Sequence, residues 1–561
     1  MGFLKVDESG NSSGMAASRI PAILRIGVTG HRKLNYPEMV EAKVRDVLAG
    51  LDELLSAEVR YSPRLFMAIS PLAEGSDRIV AREILAWKGK GTDCLPFLEA
   101  VLPLPPGEYE KDFRTDASLK EFRDLLGQAR LTRLMSKTGS RESSYEYAGN
   151  YVVNSCDLLI AVWNGKEAAG QGGTAEIVRY ARSLSHPLIW INSESGEVRY
   201  EWDKKKVLGS LKIIDGFNRE WLSPGKIADF SARRYEGIAS KGRSAGIPED
   251  VLDSGRALMP GYARASLLAK RYRRIFLSAS ISMYLLAVFV VACVIFPHFF
   301  IDGFYEWLTG IMPWFPFSLQ QLLLLIKGAE IASMLAILAI ILTAEKFQKR
   351  WTDYRFLTER IRTALILTVA GTSPGPLRYD ERLYKPRQPD YWIAKAYMGL
   401  WYLTPRVLQP IDLDKQKKFL RTAWIQDQIA FYREHGERHK ATYDILDLIT
   451  KLLFIITLIA ALVSFADLMA VSPVIENPTL LSIGILFPVA GASLAGLIAI
   501  RGYLRNAERY HQMREPLGNM EKRIDNAPDL NGLIDAVDET YELILRENNE
   551  WRFNLLSLKL R

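Results

Sequence analysis

Ile23-Leu-Arg-Ile-Gly-Val-Thr-Gly-His-Arg32 begins as an apolar run and ends in a glycine-bearing turn. Residues 23–28 read as a buried strand, and Thr29-Gly30-His31-Arg32 as the turn that leaves it. From Pro37 the period changes: Val40, Val44, Val47, Leu48, Leu51 and Leu55 fall on one face of a helix. Strand, glycine turn and helix make the unit of a parallel sheet, because the helix carries the chain back to start the next strand. The pattern recurs. Residues 65–70 read as a second strand, 71–77 as a loop, and the chain through Ala86 as a helix. A third strand is expected at 97–104, helical charged sequence at 111–135 and a helix at 145–154. Residues 157–163 are a strongly apolar strand, followed by a glycine loop at 170–173, a helix at 174–184 and a last strand at 187–191. The fold class expected is α/β: a Rossmann-like, doubly wound parallel sheet over 21–195, preceded by a disordered tail at 1–20.

Beyond Asn192 periodicity weakens, and residues 196–260 read as an insert or connector. Four long apolar runs follow, at 275–296, 322–344, 452–469 and 480–500, each long enough as a helix to cross a hydrocarbon layer. No Lys or Arg occurs in 297–321 or 463–499. The opposite ends of the runs carry Lys270, Arg271, Arg273, Arg274, Lys346, Lys349, Arg350, Lys440, Lys451, Arg501 and Arg505. This asymmetry predicts two hairpins in the inner or cell membrane, with both termini and the central segment cytoplasmic. Hence the expected order: a first hairpin unit at 261–368, a cytoplasmic linker at 369–416, a second hairpin unit at 417–525 and a C-terminal helix at 526–561. Basic helix, hairpin, basic helix occurs twice. Two readings fit: a duplicated two-span module, or one four-span domain without internal repetition.

The net charge of +8 over 561 residues is concentrated near the spans, so it reads as topology and lipid contact, with no nucleic acid expected. Three scattered cysteines, Cys94, Cys156 and Cys293, form neither a disulfide framework nor a zinc pattern, and no metal is expected. The polar first residues do not form a signal peptide, and Val6 stands where a myristoylation signal needs Ser or Thr.

In a parallel sheet all strand-to-helix loops lie at one edge, where ligands bind. Three such loops carry candidate residues: Gly27, Thr29, Gly30, His31 and Arg32; then Glu74, Gly75, Ser76 and Asp77; then Gly172, Gly173, Thr174 and Glu176. Glycines permit close backbone approach, helix-start amides attract phosphate, and Thr174 is expected as a helix cap. Glu74 and Glu176 could accept ribose hydroxyls. Should the site be enzymatic, they are also the candidate general bases. No cofactor is expected; a nucleotide-type ligand is.

Gly27-Val-Thr-Gly-His-Arg32, Leu72-Ala-Glu-Gly-Ser-Asp77, and Asp157-Leu-Leu-Ile-Ala-Val-Trp163 with Gly172-Gly-Thr174 resemble the SLOG superfamily over about 20–195. That Rossmannoid group includes LOG-type phosphoribohydrolases, DprA-like proteins and TRPM sensor regions. The resemblance implies a nucleotide pocket at Gly27, Thr29, Gly30, Gly75, Ser76, Gly172, Gly173, Thr174 and Glu176. The loop here lacks the PGG of the hydrolases and is shorter, which counts against hydrolysis more than against binding.

Arg350-Trp-Thr-Asp-Tyr-Arg-Phe-Leu-Thr-Glu-Arg-Ile-Arg362 and Trp424-Ile-Gln-Asp-Gln-Ile-Ala-Phe-Tyr432 resemble the SLATT family of two-span effectors, over about 260–525. This implies a pore-forming or membrane-disrupting response to a nucleotide signal in bacterial defence. In the spans, Lys327 and Glu330 can pair on one face, while Gly491, Ala495 and Gly496 permit close helix contact. Four helices enclose no wide path, so pore action requires a homo-oligomer. The leading expectation is an anti-phage membrane effector sensing a nucleotide or NAD-derived second messenger, with the signal synthase encoded nearby. The alternatives are a membrane-tethered nucleotide N-glycosidase or phosphoribohydrolase, and a ligand-gated channel of ordinary physiology.

Overall fold

The computed structural model describes residues 18–89, 96–135, 140–166, 173–372, 391–404, 411–469 and 478–557. The tail expected at 1–20 thus lies almost wholly outside the described residues. Two compact units emerge: Met1–Arg264 with Leu357–Ile411, and Ala265–Phe356 with Asp412–Arg561.

The first unit is built on β1 (Ala22–Gly30), whose alternate residues face two different layers. Ala22, Leu24, Ile26 and Val28 pack under α1 (Pro37–Glu58) and α2 (Ser76–Ala86). Parallel strands follow: β2 (Arg64–Ser70), β3 (Phe97–Leu102), β4 (Leu131–Leu134), β5 (Leu158–Val162) and β6 (Leu188–Ile191). Sheet order is β4-β3-β2-β1-β5-β6-β7. The winding reverses between β1 and β5, which makes that edge the crevice. Helices α3 (Asp116–Gln128), α4 (Arg141–Ser155) and α5 (Thr174–Ser183) complete the crossovers. Val152, Val153, Ile177 and Val178 from α4 and α5 cover the second face with Ile69, Val101, Leu159 and Ala161.

Several boundaries differ from expectation for local reasons. The helical stretch expected at 111–135 is divided: Thr115 caps α3 by accepting from the Ser118 N–H, and Ala129 turns extended and ends it. One residue later Leu131–Leu134 form β4, an edge strand with little burial. The sheet is mixed, because β7 (Val198–Glu201) pairs antiparallel with β6. Asn192 Oδ1 accepts from the Glu194 and Ser195 N–H groups and Gly196 takes φ +72, so a tight hairpin returns the chain. The stretch read as a connector holds α6 (Lys204–Arg219), α7 (Pro224–Ala245) and α8 (Glu249–Arg256). Buried Arg264 donates to the Phe217 and Asn218 carbonyls, satisfying the C-terminal end of α6.

Arg264 belongs to α9 (Met259–Phe299), and the first unit resumes at Leu357 within α10 (Leu319–Val369). The segment read as a linker contains α11 (Tyr391–Leu403), which packs on the sheet. Met398 and Tyr402 bury against Ile23, Leu65 and Met67. Lys395 Nζ donates to Asp157 at 2.8 Å, and Arg25 donates to the Tyr391 hydroxyl at 3.2 Å. Fully buried Glu99 accepts from Arg25, Arg133, Tyr151 and Tyr402. Burial lowers the Lys395 ammonium pKa, against the pull of Asp157.

The second unit is helical. Helix α9, α10, the stretch Leu413–Ala466 and the stretch Pro478–Asp525 each contain a run long and apolar enough to cross a membrane. The latter two include α12 (Gln426–Met469), α13 (Pro478–Arg501), α14 (Tyr503–Gln512) and α15 (Arg514–Asp525). Leu335, Leu338 and Leu342 of α10 and Leu458 and Leu462 of α12 are exposed, as side chains that meet lipid would be. The terminal helix α16 (Leu530–Ser557) is anchored by Arg552, which donates to Asp353 Oδ1 at 2.6 and 3.0 Å; both side chains are buried. Trp551 packs edge-on against Trp351.

Candidate ligand site at the strand ends

Three turns meet where β1, β2 and β5 end. At Gly30 a Cβ would lie 2.4 Å from the Ser76 Cβ and 2.8 Å from the Val162 carbonyl oxygen. The backbone of β1 therefore touches the start of α2 and the end of β5. The His31 N–H donates to the Val162 carbonyl, and the His31 carbonyl accepts from both the N–H and the hydroxyl of Ser76. His31 Nε2 accepts from the Asn164 N–H at 3.3 Å, which ties the first turn to the end of β5. Gly75 has φ +78, and a Cβ there would lie 2.5 Å from the Arg32 carbonyl oxygen. Only glycine fits that approach.

The turn after β2 is also strained. Leu72 is not glycine yet sits at φ +59, fully buried. Its N–H is taken by Ser70 Oγ and its carbonyl by Arg78 Nε, each at 3.1 Å. Buried Arg78 also donates to the Ser118 carbonyl at 2.8 Å and lies 4.4 Å over the Phe113 ring. This cross-bracing holds a conformation that costs of order 1–3 kcal/mol, as is common beside functional sites.

Polar groups gather beside these turns. Arg32, about half exposed, lies 5.2 Å over the Tyr145 ring and 3.6 Å from Asp112. Asp112 also accepts from Arg141 and from the Tyr145 hydroxyl. The buried Tyr109 hydroxyl has no hydrogen-bond partner among the described residues. Burial pushes the Asp77 carboxyl up to about 7, against Arg32 and Arg78 and a hydrogen bond from the Ala73 N–H. Desolvation likewise raises the Tyr109 phenol, as does the nearby Asp77. The partly exposed guanidinium groups of Arg32 and Arg141 thus stand close to the buried Tyr109 hydroxyl and Asp77, a combination that suits an anionic ligand carrying hydroxyl or amide groups.

The other candidates fall in different settings. Gly27 is used for packing: a Cβ there would meet Cys156 Sγ at 2.7 Å and Val152 at 2.8 Å. Thr29 is half-buried in the last turn of pairing with β5, opposite Ala161. Glu74 accepts from the Ser118 hydroxyl. Gly172 lies outside the described residues. Gly173 occupies the capping position of α5 without a side-chain cap, so Thr174 is the first helical residue and not the cap expected. Glu176 lies in the first turn of α5, its N–H bonded to the Gly173 carbonyl. Sequence reasoning missed Tyr109, Asp112, Arg141 and Tyr145. The topology rule that assembled the other loops would have included the segment after β3. A groove of about 530 Å³ between α2 and α3, lined in part by Arg82, Leu85, Leu125 and Gln128, contains none of the strand-end candidates. No cluster able to hold a metal occurs among the described residues.

In the second unit, Lys327 donates to Glu330 at 2.8 Å. Gly491 packs against Phe454 and Gly496 against Tyr284, while Ala495 is exposed. Residues 422–551 match the family described as SMODS and SLOG-associating 2TM effector domain 1. This is a transmembrane effector module associated with defence systems, and with the four apolar helices it identifies a membrane protein. No curated protein matches the chain.

Proposed function

We propose that the protein is a membrane effector of bacterial anti-phage defence whose α/β unit senses a nucleotide or NAD-derived signal. The observation that carries this reading is the joining, in one chain, of the effector match at 422–551 to a sheet whose strand-end turns converge beside Arg32, Arg141 and the unpartnered Tyr109 hydroxyl. The signal's phosphates engage Arg32 and Arg141, and its ribose or base meets Tyr109 and Asp77. Both termini and the sheet are cytoplasmic, as the cation asymmetry requires. Ligand binding favours one conformation by its higher affinity for it, and copies of the chain assemble to breach the bilayer.

The test uses the full chain in dye-loaded liposomes, with a panel of mono- and dinucleotides and NAD derivatives. Leakage that requires one of them, and that Arg32→Gln with Arg141→Gln abolishes, supports the reading. Leakage with none of them added, or nucleotide turnover without leakage, removes it; turnover lost in Glu176→Gln would indicate an enzyme.

A further inference from the structure

Five helices of the second unit bring cations together where the apolar runs end. Arg273 stands on α9, Arg355 on α10, His435 and His439 on α12, and Arg501 and Arg509 at the end of α13 and in α14. Gly502, at φ +58, separates α13 from α14. Helix α14 then packs on α12, where a Cβ at Gly436 would lie only 3.4 Å from the Tyr510 Cβ. The His439 ring centroid is 5.5 Å from that of Tyr503 and 5.8 Å from that of Tyr510. Arg509 lies 4.9 Å from the Tyr510 ring, and Arg501 donates to the Tyr503 hydroxyl at 3.4 Å.

Positive charge is crowded here. Burial, then His435, Arg273, Arg509 and Arg355, push the His439 imidazole down to about 4. Partial desolvation, then Arg355 and Arg501, lower even the Arg273 guanidinium, although its side chain still reaches solvent. Nearby carboxylates are engaged: Glu547 lies 2.9 Å from Arg509 and accepts from Tyr432, and Asp353 holds Arg552 and Lys349. Enclosed polar atoms nonetheless lack a hydrogen-bond partner among the described residues, namely His439 Nδ1, Arg501 Nε and Arg509 Nη2. Like charges held together beside unsatisfied donors are the arrangement a bound anion completes.

We propose that Arg273, Arg501 and Arg509, with His439 beside them, form a site for a phosphate-bearing anion, separate from the strand-end site. Guanidinium forks match phosphate oxygens in geometry as well as charge. Arg273 stands two residues before the first apolar run and Arg501 immediately follows the last, which is headgroup level. The phosphate is that of an anionic lipid or of a free solute, and the two sources are separable.

The full chain is placed in nanodiscs of phosphatidylcholine with a minority of phosphatidylglycerol, and retained lipid is counted by native mass spectrometry. In parallel, protein in neutral detergent is titrated with inorganic pyrophosphate while its melting temperature is followed. Selective phosphatidylglycerol retention assigns the lipid source; pyrophosphate stabilisation assigns a free anion. Arg273→Gln with Arg501→Gln should weaken either response by about tenfold or more, and Arg→Lys at both positions by less. Should the double variant fail to fold, Arg273→Gln alone with the salt dependence of the wild type gives the same comparison. Neither probe preferred over neutral controls, or equal binding by the neutralised variant, overturns the proposal.

Discussion

Asp77 is nearly enclosed at the start of α2, and burial raises its carboxyl to about 7, whereas an unfolded chain gives about 4. The folded state therefore holds a proton that the unfolded state has released. Stability from this group is greatest below about pH 4, falls as pH rises towards about 7, and is flat above. Asp77→Asn should thus raise the melting temperature at pH 8, with a benefit that shrinks towards pH 4. Its ceiling is about 4 kcal/mol, since each pKa unit is worth about 1.4 kcal/mol. Thermal unfolding across pH tests this, and a gain of equal size at all pH values would contradict it. Gly75→Ala faces a positive φ and the Arg32 carbonyl together, so it should cost about 1–3 kcal/mol in chemical denaturation. Gly50→Ala is the control, with open space where a Cβ would go. At this scale the sequence was only partly readable. Glycine spacing marked Gly30 and Gly75, whereas Tyr109 and Asp112 acquire their meaning from neighbours distant in the chain. Gly27, in the same motif, also answers a packing demand, since a Cβ there would meet Cys156 and Val152.

Among elements, two buried ion pairs join segments far apart in the chain, and each can be interrogated separately. In the second unit, removing Arg552 leaves Asp353 buried beside only the partly exposed Lys349. Arg552→Ala should cost about 3–5 kcal/mol, and Arg552→Met with Asp353→Leu should recover most of it, read by unfolding in detergent. In the first unit, Lys395→Met should destabilise similarly by stranding Asp157, and adding Asp157→Asn should restore part of the loss. If either double variant were no better than its single, the ionic reading of that contact would fail. Strands β1, β2, β5 and β6 were legible because continuous apolar runs are what a sheet covered on both faces demands. Strand β4 was not, since Leu-Thr-Arg-Leu is short and barely buried. The placement of α11 was illegible for a different reason. Its aromatic composition fits an interfacial anchor as well as a core helix, and only the pairing of Lys395 with Asp157, 238 positions apart, decides.

Across the whole molecule, the four apolar runs and their cationic ends were the plainest signal, because the bilayer imposes length and charge rules no soluble fold shares. The topology they imply can be tested by labelling. With Trp314, which is 76% exposed, replaced by Cys, intact cells should react with an impermeant maleimide; Lys120→Cys should react only after lysis. Labelling of the second alone would reverse the orientation, and labelling of both would contradict the hairpin topology. Helix α11 carries a further implication. A fragment stopping near residue 260 lacks the partner of Asp157 and the cover over Ile23, Leu65 and Met67, so it is an unfinished domain. In sequence, the first hairpin therefore interrupts the first unit, which forms the head of the chain. Exchanging that head alone for another during evolution takes three crossovers in the gene, not one. Recombination should therefore have transmitted head and first hairpin as a single heritable block, with the second hairpin the easier piece to trade.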